Sequence, residues 1–196
     1  MRLMKRLVLA SQSPRRIQLL RQIGLVVDVV PSSIPEEIDV NVSPEENARR
    51  LAFRKALQVG MLFDNAIVIG ADTIVAIHGT MLGKPDDALH ATSMLETLSG
   101  QTHTVVTAFS LLDRPSNRSI TEAETTRVTF RVLPREEIEE YVATRSPLDK
   151  AGAYGIQDDY GAVFVRRVEG CFYNVMGFPL ARFYTALRDF QEQLLK

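Results

Sequence analysis

The sequence predicts an α/β protein built on a mixed sheet. Three observations predict it: short apolar runs that read as buried strands, amphipathic segments with helix-start signals between them, and two long β-branched segments flanking a turn. The first run is Leu7-Val8-Leu9-Ala10. Ser13-Pro14 then supplies an N-cap and a first-turn proline, and Gly24 ends that helix, which makes strand, tight turn, helix. Ser43-Pro44-Glu45-Glu46 repeats the start signal with a Ser-x-x-Glu capping box. The helix it opens carries an inward stripe of Ala48, Leu51, Ala52, Ala56 and Val59.

Ala66-Ile67-Val68-Ile69 reads as a second buried strand, which Gly70-Ala71-Asp72-Thr73 interrupts before Ile74-Val75-Ala76. Asp87 to Leu98 is a third helix, ended by Ser99-Gly100. Thr104 to Leu112 and Ser119 to Leu133 flank the turn at Pro115 and read as a long hairpin. Pro134 to Thr144 is helical, Ala162 to Val168 is a strand, and Leu180 to Leu195 is a closing amphipathic helix. No repeat or interdomain linker divides the chain, so residues 1–196 read as one domain.

A chain of 196 residues buries roughly 70% of the surface its unfolded form exposes, enough for a core without metal or disulfide staples. With 23 Lys+Arg against 24 Asp+Glu the net charge is −1, which excludes holding nucleic acid or an anionic membrane by bulk attraction. The single cysteine, Cys171, excludes an intrachain disulfide framework and suits a reducing, cytoplasmic setting. The apolar run after Met1 to Arg6 is too short for a signal peptide or a membrane span.

Against that neutral background a few charged residues stand out. Ser11-Gln12-Ser13-Pro14-Arg15-Arg16 lies where a strand turns into a helix, whose unpaired N–H groups and partial positive charge suit a phosphate; the plainer reading is a capping serine with two solvated arginines. Asp72 comes after the uncharged stretch Ala66 to Gly70, at an expected strand end, where a lone carboxylate binds a metal, takes a proton from water, or merely caps a turn. Lys55 falls within the apolar stripe of its helix, which is costly for an ammonium unless it is paired or snorkels to the rim. Lys84 sits in an ordinary Gly-Lys-Pro turn. Asp149-Lys150-Ala151-Gly152-Ala153-Tyr154-Gly155-Ile156-Gln157 makes a loop able to approach a ligand closely, or a structural Ω-loop. His78, His90 and His103 lack metal-ligand spacing and read as satisfied or exposed, Cys171 reads as a buried structural thiol, and Glu136 to Glu140 reads as a solvated helix face. P-loop and dinucleotide-fold motifs are absent from the sequence.

Taken together, the segments Leu9 to Arg16, Gly70-Ala71-Asp72-Thr73, Gly83-Lys84-Pro85 and Asp149 to Gln157 resemble, in that order, the Maf family of nucleoside triphosphate pyrophosphatases, first associated with inhibition of septum formation. The late segment is similar to the dTTP/UTP-hydrolysing branch. The resemblance implies a strongly twisted mixed sheet with flanking helices and two lobes around a cleft, similar to the inosine triphosphate pyrophosphatases. It also implies a homodimer and dependence on a divalent cation, Mg²⁺ or Mn²⁺. Residue by residue, it implies Asp72 as the catalytic acid and Ser13, Arg15, Arg16, Lys55 and Lys84 as phosphate-binding groups. Arg15, Thr73 and Gln157 fall on positions associated with base choice. A glutamate after the first helix corresponds to Glu36 or Glu37, and Glu36 is taken here, with Asp72, as a metal ligand.

The implied reaction is hydrolysis of dTTP and UTP, with modified pyrimidine nucleotides as a further class, to the monophosphate and pyrophosphate, a house-cleaning role linked to cell-division arrest. It requires neutralising about four negative charges and aiming one water. Two other readings share the cationic residues: a nucleotidyltransferase, which needs a second, acceptor substrate, and a non-enzymatic nucleotide-binding regulator of septum formation.

Overall fold

The computed structural model of the chain describes residues 5–157 and 159–195. Its strands are β1 (Leu7–Leu9), β2 (Asp28–Val29), β3 (Ala66–Ile77), β4 (Thr80–Leu82), β5 (Thr102–Arg114), β6 (Ser119–Phe130) and β7 (Val165–Glu169). Its α-helices are α1 (Pro14–Gln22), α2 (Pro44–Gly60), α3 (Ala88–Leu98), α4 (Arg135–Ala143), α5 (Asp159–Phe164), α6 (Phe172–Val175) and α7 (Leu180–Leu194). The strands form one mixed sheet in the order β2-β1-β3-β5-β6-β7, with β4 beside β3. The α/β class and the mixed sheet are as the sequence predicts.

The sheet leaves a gap that positions everything else. β5 pairs with one edge of β3 from Ala66 to Ala76. On the other edge β1 pairs in parallel with Ile67–Ile69, and β4 pairs antiparallel with Val75–Ile77. Between them the edge from Gly70 to Ile74 has no strand partner among the described residues, and it lies just past the carboxyl end of β1, where ligands gather in open α/β sheets.

Alternation along β3 then sorts the side chains by face. Ile67, Ile69 and Ala71 enter a core with α1 and α7, built on Leu19, Leu20, Phe183 and Leu187. On the same face, Val75 and Ile77 enter a second core with α3 and α4, built on Leu95, Leu98, Ile138 and Tyr141. Thr73 separates the two, directly opposite Thr107 on β5, so a polar seam divides the apolar face. The other face carries Val68, Gly70, Asp72 and Ile74 against α2, whose Ala48, Ala52, Ala56 and Val59 are fully buried there.

The expected start and stop signals of the helices hold in part. Ser43 Oγ accepts the Glu46 N–H at 3.1 Å, one half of the capping box. Ser13 occupies the N-cap of α1 but makes no capping bond with its side chain. Gly24 adopts φ +75° just beyond α1, as a helix-ending glycine does.

Two expectations are corrected. Gly70-Ala71-Asp72-Thr73 does not interrupt the strand: β3 runs unbroken through it. The glycine is required there by contact, because a Cβ at Gly70 would lie 2.0 Å from the Ala52 carbonyl oxygen of α2. The segment Ala162 to Val168 is strand only from Val165; Ala162-Val163-Phe164 closes α5, which buries Phe164 in the second core beside Phe130 and Tyr141. No helix among the described residues is long and apolar enough to cross a membrane.

Candidate active site

A cleft of about 700 Å³ opens at the gap in the β3 edge, and all the site residues expected from the sequence border it: Ser13, Arg15, Arg16, Glu36, Lys55, Asp72, Thr73, Lys84 and Gln157. Their arrangement follows from the fold. Asp72 projects toward α2, and the close approach at Gly70 brings that helix near enough for Lys55 to reach it. The Lys55 ammonium is 2.6 Å from Asp72 Oδ1 and 2.5 Å from Glu36 Oε1. Lys84 meets the other Glu36 oxygen at 3.1 Å, so charges alternate from Asp72 through Lys55 and Glu36 to Lys84. Glu36 is the glutamate that reaches the cleft; the Glu37 carbonyl instead accepts from Arg50 on α2.

Burial treats the two carboxyls differently. Asp72 is only 7% exposed, and desolvation pushes its pKa up even though Lys55 and Arg16 favour the charged form. For Glu36, burial also acts upward, but the ammonium groups of Lys55 and Lys84 outweigh it and hold the carboxyl at about 2. One carboxyl is thus biased toward taking a proton and the other toward staying ionised.

Arg16 lies under the cleft and braces it. Nε donates to the Gly177 carbonyl at 3.0 Å, Nη1 to Ser11 Oγ at 3.2 Å and to the Ala71 carbonyl at 2.9 Å, and Nη2 to Thr73 Oγ1 at 3.1 Å. Four of its five N–H groups are therefore used, and the fifth has no partner among the described residues. Burial lowers its pKa, against the pull of Asp72 and Glu36, yet a guanidinium stays charged. Thr73 Oγ1 also contacts Thr107 Oγ1 at 2.9 Å, and Thr107 in turn donates to the Asn174 carbonyl at 2.9 Å. The seam between the two cores is thereby closed by hydrogen bonds.

Across the mouth, Arg15 Nη1 meets Asp149 Oδ2 at 3.0 Å, and Lys150 Nζ contacts Asp149 Oδ1 at 2.8 Å. The loop carrying Asp149 makes two short 3₁₀ turns and is tied to the Gly83-Lys84 segment by a bond from Gly152 N–H to the Gly83 carbonyl, 3.0 Å. At its far end both polar atoms of the Gln157 amide are buried and without a hydrogen-bond partner among the described residues. Tyr154, also lining the cleft, bonds through its hydroxyl to His103 Nε2 at 2.8 Å.

Asp149 opens the late segment, but the sequence gives it no role of its own. Its partner Arg15 lies 134 residues away, a contact that no local pattern encodes. Of the residues expected to be inert, His78 is exposed at a turn, His90 pairs with Asp86, and Glu136, Glu139 and Glu140 are exposed on α4. His103 is buried, with one ring nitrogen on Tyr154 and the other unpartnered among the described residues. Cys171 is half-buried, set at the turn before α6 where its backbone bonds Thr126 Oγ1.

Glu36 and Asp72 present hard carboxylate oxygens to one shared point, marked by the Lys55 ammonium. Among the described residues no group of three or more His, Cys, Asp or Glu is placed to hold a metal ion. Two carboxylates fit an ion such as Mg²⁺ that keeps waters and takes its remaining ligands from substrate phosphates.

The profile of Maf-like proteins matches residues 6–190. The chain is 44% identical over 197 residues, 98% of each chain, to a dTTP/UTP pyrophosphatase of Caldicellulosiruptor bescii. It is 48% identical over 187 residues, 95% of this chain and 97% of the relative, to a dTTP/UTP pyrophosphatase of Bacillus pumilus, and 46% identical over 186 residues to one of Bacillus velezensis at 95% and 97% coverage. Among solved structures, the Staphylococcus aureus Ham1 protein overlaps 64% of this chain and 72% of its own at 15% identity, with a TM-score of 0.38, a distant and partial likeness.

Proposed function

The chain belongs to the Maf-like protein family, and we propose that it is a cytoplasmic enzyme that hydrolyses dTTP and UTP to the nucleoside monophosphate and pyrophosphate. The observation that carries the reading is the buried Asp72 carboxylate, held by Lys55 at a stretch of β3 edge with no strand partner among the described residues, in a chain whose full-length relatives are dTTP/UTP pyrophosphatases.

In this reading the triphosphate lies along the cleft. Lys55, Lys84, Arg15 and the fifth N–H of Arg16 take its charge, with the Ser13 hydroxyl and the first turn of α1 beside them. Asp72 orients a water and accepts its proton as the water oxygen bonds to phosphorus. The anhydride between the α- and β-phosphates breaks, and pyrophosphate departs with the bonding electrons. Burial raises the pKa of Asp72, which makes its carboxylate a better proton acceptor. Glu36 and Asp72 are the residues that would hold Mg²⁺ or Mn²⁺, which supplies neutralising charge to the phosphates when bound.

Base choice rests on Gln157, Thr73 and Arg15. A pyrimidine edge presents a carbonyl and an N–H, and the unpartnered Gln157 amide offers a donor and an acceptor to match. The seam consumes the Thr73 hydroxyl proton if Thr107 gives its own to Asn174, so Thr73 has only a lone pair to offer. A homodimer belongs to the same reading, on the family resemblance alone, and sedimentation velocity tests it.

The experiment is a nucleoside triphosphate panel with Mg²⁺ or Mn²⁺, with products separated by ion-exchange chromatography. UMP or dTMP with pyrophosphate is expected. Orthophosphate as the first product, or no turnover of either pyrimidine, overturns the reading.

A further inference from the structure

The Lys55 ammonium stands where a divalent ion shared by Glu36 and Asp72 would stand. Its nitrogen is 2.5 Å from one carboxylate and 2.6 Å from the other, and the residue is 6% exposed, so it is a buried cation that bridges both acids. A divalent cation cannot share that point with an ammonium, because like charges at contact repel strongly where water is scarce. Lys84 is arranged differently: it touches only Glu36, from the outer side, and its side chain is 56% exposed.

Lysine is also suited to yield the position. Its charge sits on a flexible four-carbon stem, and a polyphosphate offers a replacement partner of higher charge than two carboxylates. We propose that Lys55 occupies the cation position between Glu36 and Asp72 in the nucleotide-free protein and surrenders it to a metal–triphosphate complex. The divalent ion then enters with the nucleotide and not ahead of it. This rests on the nucleotide-hydrolysing reading above and adds an order of binding to it. The device also spares the free protein from stranding a metal in a site with two protein ligands, and it keeps the two carboxylates, which would otherwise repel each other, bridged until substrate arrives.

The test is Mn²⁺ binding to the intact, nucleotide-free protein at neutral pH, read from the electron paramagnetic resonance signal of free Mn²⁺. Lys55→Gln is expected to bind Mn²⁺ on the order of tenfold or more tightly than the wild type, a gain of at least about 1.4 kcal/mol. Lys84→Gln, which removes an equal but exposed and screened charge, is expected to stay within about threefold of the wild type. Equal affinities for wild type and Lys55→Gln overturn the proposal, as does an equal gain in Lys84→Gln, which would reduce the effect to general electrostatics. Should Lys55→Gln fail to fold, Lys55→Met removes the same charge with a better-packing side chain. The wild type alone also decides: saturation by micromolar Mn²⁺ without nucleotide overturns the proposal, and saturation only at millimolar Mn²⁺ supports it. A wild type that hydrolyses dTTP yet binds Mn²⁺ tightly by itself defeats this inference and leaves the enzymatic reading standing, whereas no hydrolysis defeats that reading first.

Discussion

Arg15 on the first turn of α1 meets Asp149, on a loop 134 residues later, at 3.0 Å across the mouth of the cleft. The Asp149 side chain is 58% exposed, so the pair adds little to stability, about 0–1 kcal/mol. Its consequence is positional: a guanidinium assigned to the nucleotide is held in place before the nucleotide arrives. Asp149→Asn, which also takes a carboxylate from the buried Lys150 ammonium, is expected to lower the melting temperature slightly, to raise KM for dTTP and UTP severalfold and to leave kcat within about twofold, since lost preorganisation is repaid on binding. Steady-state kinetics beside a thermal melt check this; a fall in kcat with KM unchanged would contradict it.

Asp72→Asn keeps the size of the side chain and removes the proton acceptor. Lys55 retains Glu36 as a partner, so the fold should survive the change. Pyrophosphate release from dTTP is expected to slow by on the order of 10²-fold or more in kcat, the usual contribution of a general base. Wild-type turnover by a folded Asp72→Asn would assign the proton to another group.

Gln157 places two buried amide atoms without partners among the described residues, and each unsatisfied polar atom costs about 1–3 kcal/mol. Replacing the amide with an apolar side chain of similar size should relieve that cost. Gln157→Leu is expected to raise the melting temperature while flattening the preference for dTTP and UTP over other nucleoside triphosphates. Selectivity that survives the substitution would remove Gln157 from base recognition.

Gly70→Ala adds a Cβ that would sit 2.0 Å from the Ala52 carbonyl oxygen and 2.7 Å from the Ala56 nitrogen, both of them backbone atoms of α2. No rotamer relieves such a contact, so α2 must move off β3, at a cost of about 3 kcal/mol or more. A lower melting temperature is expected together with lost activity, because the same displacement draws Lys55 away from Asp72. A variant as stable as the wild type would show that α2 is free to shift.

That glycine also marks the boundary of what the sequence made legible. The apolar stripe of α2 is visible in the sequence with Lys55 inside it; the sequence leaves open whether that lysine snorkels or is paired, and the structure pairs it with Asp72. The arginine pair at the start of α1 and the inward Lys55 stand out locally because each runs against a rule of capping or burial, whereas Lys84 lies in an ordinary turn and stands out only beside the other segments. Gly70 misled because a glycine in a strand reads as a break, whereas here it serves a helix contact set by residues fourteen and eighteen positions earlier in the chain. Asp149 with Arg15, Thr73 with Thr107, and His103 with Tyr154 join distant segments, and only the sheet register and loop path bring them together. The start of β7 was misplaced for a related reason: Ala162-Val163-Phe164 has the composition of a strand, but Phe164 is drawn into an aromatic cluster as the last turn of α5.

His103 gives the fold a pH dependence of its own. Burial holds its pKa down at about 4, from an ordinary value of 6.5, while the side chain stays neutral against the Tyr154 hydroxyl and the edge of Phe130. In the unfolded chain the imidazole takes up its proton below about 6.5, whereas in the folded protein it resists until about 4. Between those values the unfolded state binds more protons, so acid favours unfolding. Stability is full above pH 6.5 and is lost as the pH falls toward 4, by on the order of 3 kcal/mol from this group alone. His103→Gln retains a group able to bond Tyr154 and cannot titrate. Chemical denaturation at pH 7, 6, 5 and 4 should show the wild type losing stability faster than His103→Gln across that interval. Parallel curves for the two proteins would mean that the buried imidazole titrates in the folded state much as it does in the unfolded chain.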